Sequence, residues 1–331
     1  MLPFHYDLPE TAIAQVPVEP RSAARLLVHL DGATPEHGQV SDLPELVGPG
    51  DLLVVNDTRV LPARLRLHKA TGGHVEVLLV EPLGGGAWSA LVRPGRRLRP
   101  GTSLHADGAV VAEVGQPMEH GLRRVQMLTD LDALADVAEV PLPPYIHERL
   151  ADPERYQTVY ATHPGSVAAP TAGLHLTAEL LDACRTAGAR VATVDLAVGL
   201  GTFRPMTAER VEDHTMHEER YRVPAATMAA AEAASRVIAV GTTTVRALES
   251  AASTGCLEGR TGLFIRPGFA FRAVDVMLTN FHLPRSSLLV MLEAFYGPGW
   301  RELYATALAR GYRFLSFGDA TLVARDAGHR R

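Results

Sequence analysis

Five stretches of the chain gather the residue types that bind and transform small polar molecules. They are Ala168-Ala169-Pro170-Thr171-Ala172-Gly173-Leu174-His175, Val198-Gly199-Leu200-Gly201-Thr202-Phe203-Arg204-Pro205, His214-Thr215-Met216-His217-Glu218, Val240-Gly241-Thr242-Thr243-Thr244-Val245-Arg246 and Thr279-Asn280-Phe281-His282-Leu283-Pro284. Each lies where a strand is expected to end, which is where open α/β sheets place their ligands. Glycine lets backbone amides approach a ligand, hydroxyls and carboxamides hydrogen-bond it, and imidazole exchanges protons near neutral pH.

Singly, each stretch has two readings. Gly199 and Gly201 follow an expected strand, but the third glycine of a dinucleotide fingerprint is missing and Pro205 blocks an immediate helix, so a ligand loop and a plain turn both stand. At Gly241 to Thr244 a strand runs into a helix whose first N–H groups can face an anion or carboxylate, or whose threonines simply cap it. His214 and His217, three apart, would share a helical face, and with His163, His175 and His282 could ligate a metal. No aligned third ligand marks such a centre, so acid–base duty for one or two of them fits better, with ordinary hydrogen-bonded histidines as the plain alternative. Asp319, in Phe317-Gly318-Asp319-Ala320, can accept hydrogen bonds from a ribose or an amine, or serve as a turn aspartate. Arg96, Arg97 and Arg99 sit between Pro94-Gly95 and Pro100-Gly101 and read as an exposed basic loop, either solvated or touching phosphate.

The elements that must position these residues divide in two. From Arg64 to Leu128 short strands are expected at 64–68, 73–80, 88–94, 102–106, 109–115 and 123–128, separated by turns such as Gly84-Gly85-Gly86, and such spacing favours a small antiparallel barrel or sandwich. After Tyr145 helices and strands alternate: a helix capped by Thr177 and stopped by Gly188, a strand at 190–198, a helix near 225–236, a strand at 237–240 and a helix near 244–253 ended by Gly255. Strands at 263–265, 274–279 and 312–317 and helices at 286–295 and 300–310 complete the pattern. Asp51 to Asn56 is a strong apolar strand that should join this larger sheet. The expected fold class is therefore α/β: residues 1–60 and 146–331 build one discontinuous α/β domain on a mixed, barrel-like sheet, and residues 61–145 form an inserted antiparallel β-barrel.

At 331 residues and 47% hydrophobic the chain can bury a substantial core, which excludes the disordered and low-complexity classes. It offers no run of roughly 18 apolar residues and no secretory leader, and its two cysteines, Cys184 and Cys256, make no disulfide framework. A soluble protein of a reducing cytoplasm is expected, with monomer as the working state. The net charge of −5 is not that of an obvious nucleic-acid binder, yet residues 61–128 carry nine basic groups against five acids, and the remainder holds −9.

Taken jointly, these stretches resemble the S-adenosylmethionine:tRNA ribosyltransferase-isomerases of bacterial queuosine biosynthesis. The likeness runs over nearly the whole chain: Tyr6-Asp7-Leu8-Pro9, Ile13-Ala14-Gln15, Leu53 to Val60 (including Arg59), Pro62-Ala63-Arg64, Val140 to Ile146, Glu154 to Tyr160, Pro164 to His175, Gly199 to Pro205, Met216-His217-Glu218, Val240 to Val245, Asn280 to Pro284 and Gly318-Asp319-Ala320. The resemblance implies transfer of the donor's ribosyl group to 7-aminomethyl-7-deazaguanine in tRNA, isomerisation to the epoxycyclopentane of epoxyqueuosine, and release of adenine and methionine. It implies no metal or redox cofactor beyond S-adenosylmethionine as co-substrate.

On this basis Thr171, Gly199, Gly201, Thr202, Phe203, Thr242, Thr243, Asn280 and His282 are candidates to hold the donor, with His217, His175, Glu218 and Asp319 as candidate catalytic residues. His217 or His175 is the expected base. Arg59, Arg64, Arg96, Arg97 and Arg99 are candidate tRNA contacts. The chain departs from the family at Ala197, where Leu-His-Val-Gly is usual, at Arg266, where an aromatic is usual, and at His5, where an aspartate is common. An S-adenosylmethionine-dependent RNA methyltransferase and a non-catalytic nucleotide- or RNA-binding relative are the competing readings.

Overall fold

The computed structural model describes residues 4–30, 32, 34–95, 98–199, 206 and 210–326. The chain begins with the antiparallel pair β1 (Arg25–His29) and β2 (Glu36–Gln39), then β3 (Asp51–Asn56), all six of whose residues are buried, and the short β4 (Thr58–Val60). Next come β5 (Arg64–Lys69), β6 (His74–Gly84), β7 (Ala87–Arg93), β8 (Thr102–Ala106), β9 (Ala109–Pro117), β10 (Arg123–Met127) and β11 (Ala138–Glu139). Period-two patterning drives them: in β5, Leu65 and Leu67 are buried between Arg64, Arg66 and His68. The sheet runs β5-β6-β7-β10-β9-β8, and β8 returns to β5 through His105 opposite His68, closing a six-stranded antiparallel barrel that β11 extends at one end. Closure removes the exposed sheet edges that would otherwise invite association.

The rest of the chain supplies β12 (His163–Ser166), which pairs with β4, and then α1 (Ala178–Thr186), β13 (Arg190–Leu196), β14 (Glu219–Arg222), α2 (Ala225–Ala233), β15 (Arg236–Val240) and α3 (Thr242–Thr254). It ends with β16 (Glu258–Thr261), β17 (Val276–Asn280), α4 (Ser287–Tyr296), α5 (Trp300–Ala309) and β18 (Ala320–Ala324). Nine strands form one mixed sheet in the order β16-β14-β13-β3-β15-β17-β18-β1-β2, with β13, β3, β15 and β17 mutually parallel at its centre. One compact unit comprises Met1–Arg59, Pro143–His163 and Ala169–Arg331, and the other Val60–Leu142 with Pro164–Ala168.

Leu26, Leu43, Leu53, Val55, Leu181, Ile238, Leu278 and Leu322 are among the residues of the buried apolar cluster in the larger unit. A second, aromatic group joins Tyr6, Phe281, Trp300, Tyr304 and Phe314 through edge and stacked contacts with ring centroids 4.6–6.2 Å apart. Thr177 caps α1, accepting from the Leu180 amide at 3.1 Å, and Gly255 ends α3 in the left-handed region. Among the described residues no helix is long and apolar enough to cross a membrane.

Three expectations need correction. Residues 263–265 are not a strand; the pairing strand lies earlier, at β16. Residues 312–317 contribute only a single bridge, Phe314 to Ile13, because Leu315 turns to a left-handed φ of 69° and Gly318 then packs so closely that a Cβ there would stand 2.5 Å from the Arg313 carbonyl. The chain doubles back, and the strand forms at β18 instead. His214 and His217 do not share a helical face either, since 214–218 is irregular and leads into β14.

Candidate active site

Because β13, β3, β15 and β17 run the same way, their C-terminal ends gather along one edge, the position open α/β sheets use for ligands. Asn56, at the end of β3, fastens this edge. Its Nδ2 donates to the Leu196 carbonyl at 3.0 Å and to Thr243 Oγ1 at 3.2 Å, while its Oδ1 accepts from the amides of Leu196 and Thr58. β15 passes straight into α3 through Gly241, whose φ of 88° a side chain would strain.

Two adjoining voids lie at this edge. One, with about 340 Å³ of free space that includes open solvent, is lined by residues including Thr171, Gly241, Thr242, Thr243, Thr279, Asn280 and His282. The other, about 310 Å³, shares Thr171, Asn280, His282 and Leu288 and adds an apolar wall of Tyr145, Phe281, Leu283 and Leu315. Tyr145 is held by its hydroxyl contact to Ser316 at 2.7 Å and by Gln15, whose Nε2 donates to its carbonyl at 2.9 Å.

The polar wall is an ordered network. Thr171 Oγ1 donates to Asn280 Oδ1 at 3.1 Å, and Asn280 Nδ2 donates to His175 Nε2 at 2.9 Å. His175 is therefore an acceptor at Nε2, and its proton sits on Nδ1. Burial, together with the nearby guanidinium groups of Arg155, Arg313 and Arg21, pulls its pKa down to about 3, so the ring is neutral at pH 7. The backbone before it fits tightly: a Cβ on Gly173 would stand 2.1 Å from the Tyr160 hydroxyl.

His282 is likewise buried and pushed down to about 3 by desolvation. Its backbone amide donates to Tyr304 Oη at 3.0 Å, which leaves the tyrosine proton for His282 Nδ1 at 3.1 Å; His282 Nε2 must then carry hydrogen and donate to Thr279 Oγ1 at 3.0 Å.

The remaining candidates fall elsewhere or have other partners. Gly199 donates its amide to Glu219 Oε1 at 2.8 Å, and Glu219 forms a buried ion pair with Arg246, which also donates to the Thr261 and Leu263 carbonyls. His217 and Glu218 are exposed, Glu218 is paired with Arg260 at 3.0 Å, and neither lines the two voids. Both carboxylate oxygens of Asp319 accept backbone amides, from Arg25 at 3.0 Å and Arg313 at 2.8 Å, so this side chain ties the start of β1 to the turn before β18. Ala197, where the resemblance expects an imidazole, is half-buried and donates its amide to the Arg220 carbonyl.

Arg59 pairs with Glu154 at 2.6 Å, Arg64 donates to the Leu142 carbonyl at 3.4 Å, and Arg99 is exposed. Gly201, Thr202, Phe203, Arg96 and Arg97 lie outside the described residues. No group of three or more His, Cys, Asp or Glu is placed to hold a metal among the described residues.

The structure thus brings together Thr171, His175, Thr242, Thr243, Asn280 and His282, and it adds residues not singled out from sequence. Tyr304 reads as an ordinary core aromatic at helical spacing, Asn56 as a strand end, and Glu219 with Arg246 as surface charges on an amphipathic pattern. No local signal separates them from those bland roles.

Comparison with known proteins identifies the family. A family model described as "Queuosine biosynthesis protein" matches residues 1–323. The S-adenosylmethionine:tRNA ribosyltransferase-isomerase of Synechococcus elongatus is 50% identical over 344 residues, covering 98% of this chain and 96% of the relative. That of Rubrobacter xylanophilus is 50% identical over 320 residues, covering 96% of both. The crystal structure of S-adenosylmethionine tRNA ribosyltransferase from Thermotoga maritima superposes with a TM-score of 0.55 at 36% identity, covering 97% of this chain and 99% of the other. With residues 1–323 matched, the chain belongs to the queuosine biosynthesis protein family, and these ribosyltransferase-isomerases are its relatives.

Proposed function

We propose that this chain transfers and isomerises the ribosyl moiety of S-adenosylmethionine onto 7-aminomethyl-7-deazaguanine at the wobble position of tRNA, giving epoxyqueuosine-tRNA and releasing adenine and methionine. The observation that carries the reading is likeness along the full length to ribosyltransferase-isomerases at 50% identity, together with a polar cavity at the carboxyl edge of the sheet. The sulfonium acidifies the adjacent 5′-CH₂, so that a positioned base can remove a proton there; adenine departs as the sugar rearranges, the nucleobase amine bonds to the sugar and gives up a proton, and cleavage of the 5′-C–S bond releases methionine. Donor binding falls to Thr171, Thr242, Thr243, Asn280 and His282, with Gly199, Gly201, Thr202 and Phe203 as further donor contacts.

Of the two expected bases, His217 and His175, the role falls by exclusion to His217, which lies outside the two voids. His175 has its Nε2 lone pair taken by Asn280 and is held neutral, so it positions the carboxamide instead. Glu218 supports the base, while Asp319 holds backbone. The barrel of residues 61–145, with Arg64, Arg96, Arg97 and Arg99, meets the tRNA, and Arg59 adds a contact from the α/β domain of residues 1–60 and 146–331. The enzyme works in the cytoplasm as a monomer without a metal.

Incubating the protein with S-adenosylmethionine and tRNA bearing the deazaguanine precursor should yield free adenine and methionine and an epoxyqueuosine nucleoside by mass spectrometry. S-adenosylhomocysteine as product would mean methyl transfer instead, and no product at all a binding relative. His217→Ala should lower the rate of adenine release at least about 100-fold, the usual contribution of a general base, while leaving the unfolding midpoint within error. Unchanged release removes His217 from the mechanism.

A further inference from the structure

The void at the start of α3 has a fixed pattern of donors and acceptors. As first-turn groups, the Thr242 and Thr243 amides have no intrahelical acceptor, and among the described residues they have no other; the Thr242 hydroxyl, in a residue only 6% exposed, has no partner either. The thirteen-residue α3 aims the positive end of its dipole into the same space. Among the other lining residues, the Tyr304-His282-Thr279 chain uses a lone pair of Thr279 Oγ1 and leaves its hydrogen free to donate. Thr171 is the reverse: its hydrogen is spent on Asn280, so its oxygen can only accept. The lining therefore holds donors suited to an oxyanion, the Thr242 and Thr243 amides with the Thr242 and Thr279 hydroxyls, and an acceptor, Thr171 Oγ1, suited to an N–H.

From this we infer that the void is the subsite for the α-amino-acid end of the sulfonium donor. The carboxylate sits on the Thr242 and Thr243 amides with the Thr242 and Thr279 hydroxyls, and the α-ammonium donates to Thr171. The inference rests on reading this cavity as the donor site, and it sets the donor's direction: the methionine end lies against α3, and the nucleoside extends toward the apolar wall of Phe281, Leu283 and Leu315.

Calorimetric titration of the full chain, without tRNA, tests it. S-adenosylmethionine is compared with its decarboxylated form, which keeps the sulfonium, ribose and adenine but lacks the carboxylate. The decarboxylated compound should bind at least about tenfold more weakly, the loss expected for removing a charge held by several donors. Thr242→Val, which breaks no hydrogen bond among the described residues, should weaken S-adenosylmethionine several-fold and leave the decarboxylated compound unchanged. Equal affinity of the two compounds for the unmodified protein overturns the assignment of the carboxylate while leaving the donor site in place. An equal loss for both in Thr242→Val overturns it as well. Absence of binding by either compound overturns the donor-site reading itself and this inference with it.

Discussion

His175 and His282 keep their imidazoles unprotonated inside the larger unit, and that has a cost on acidification. Each has a folded-state pKa of about 3 against an ordinary 6.5, so between those values the unfolded chain takes up protons that the native one refuses. Their contribution to stability is complete above pH 6.5 and is lost as pH falls toward 3, at about 1.4 kcal/mol per pH unit for each ring. The buried carboxyls of Asp195 and Glu249, pushed upward chiefly by desolvation, act in the opposite sense. His175→Gln isolates one ring: its urea midpoint should fall less steeply between pH 7 and pH 5 than that of the parent protein. Parallel pH profiles would show that His175 is protonated in the native state. The importance of Asn280, His282 and His175 is readable from residue type and position at strand ends; the protonation states are not, because they depend on Tyr304, Arg155 and Arg313, which are remote in sequence.

At the scale of elements, α3, β14 and β16 are locked by Glu219 and Arg246, two charges buried together and bonded to Gly199 and to the carbonyls of Thr261 and Leu263. Glu219→Ala leaves the guanidinium uncompensated and should destabilise by about 3–5 kcal/mol in chemical denaturation. Glu219→Gln, which retains an acceptor for the Gly199 amide, should cost less; a cost for alanine no greater than for glutamine would remove the ion pair from this role. The barrel strands β5 to β10 are legible in the sequence because their alternation is strong and glycine turns separate them. β1, β14 and β18 are not. Their short runs take their pairing from distant strands, and the apolar stretch 312–317 competes convincingly for strand until the left-handed turn at Leu315 is known.

For the whole molecule, the net charge of −5 and the basic character of residues 61–128 raise the matter of how a polyanion is received. If the loop around Arg99 touches phosphates, replacing Arg96, Arg97 and Arg99 with alanine should weaken tRNA binding and flatten its salt dependence, by about 0.7–0.9 in log–log slope for each phosphate no longer neutralised. An unchanged slope assigns that charge to solubility.

The nine-stranded sheet also sets a timetable. β1 pairs in parallel with β18, Leu26 through His29 lying against Ala320 through Val323. On a ribosome, the first strand to emerge thus cannot reach one of its neighbours until nearly all the chain has been made, on the order of tens of seconds later at ordinary elongation rates. Meanwhile the strands of the six-stranded barrel are made consecutively and can close early. The larger sheet is sealed last, so a nascent chain cut short before residue 320 would expose an unpaired strand to chaperones and proteases.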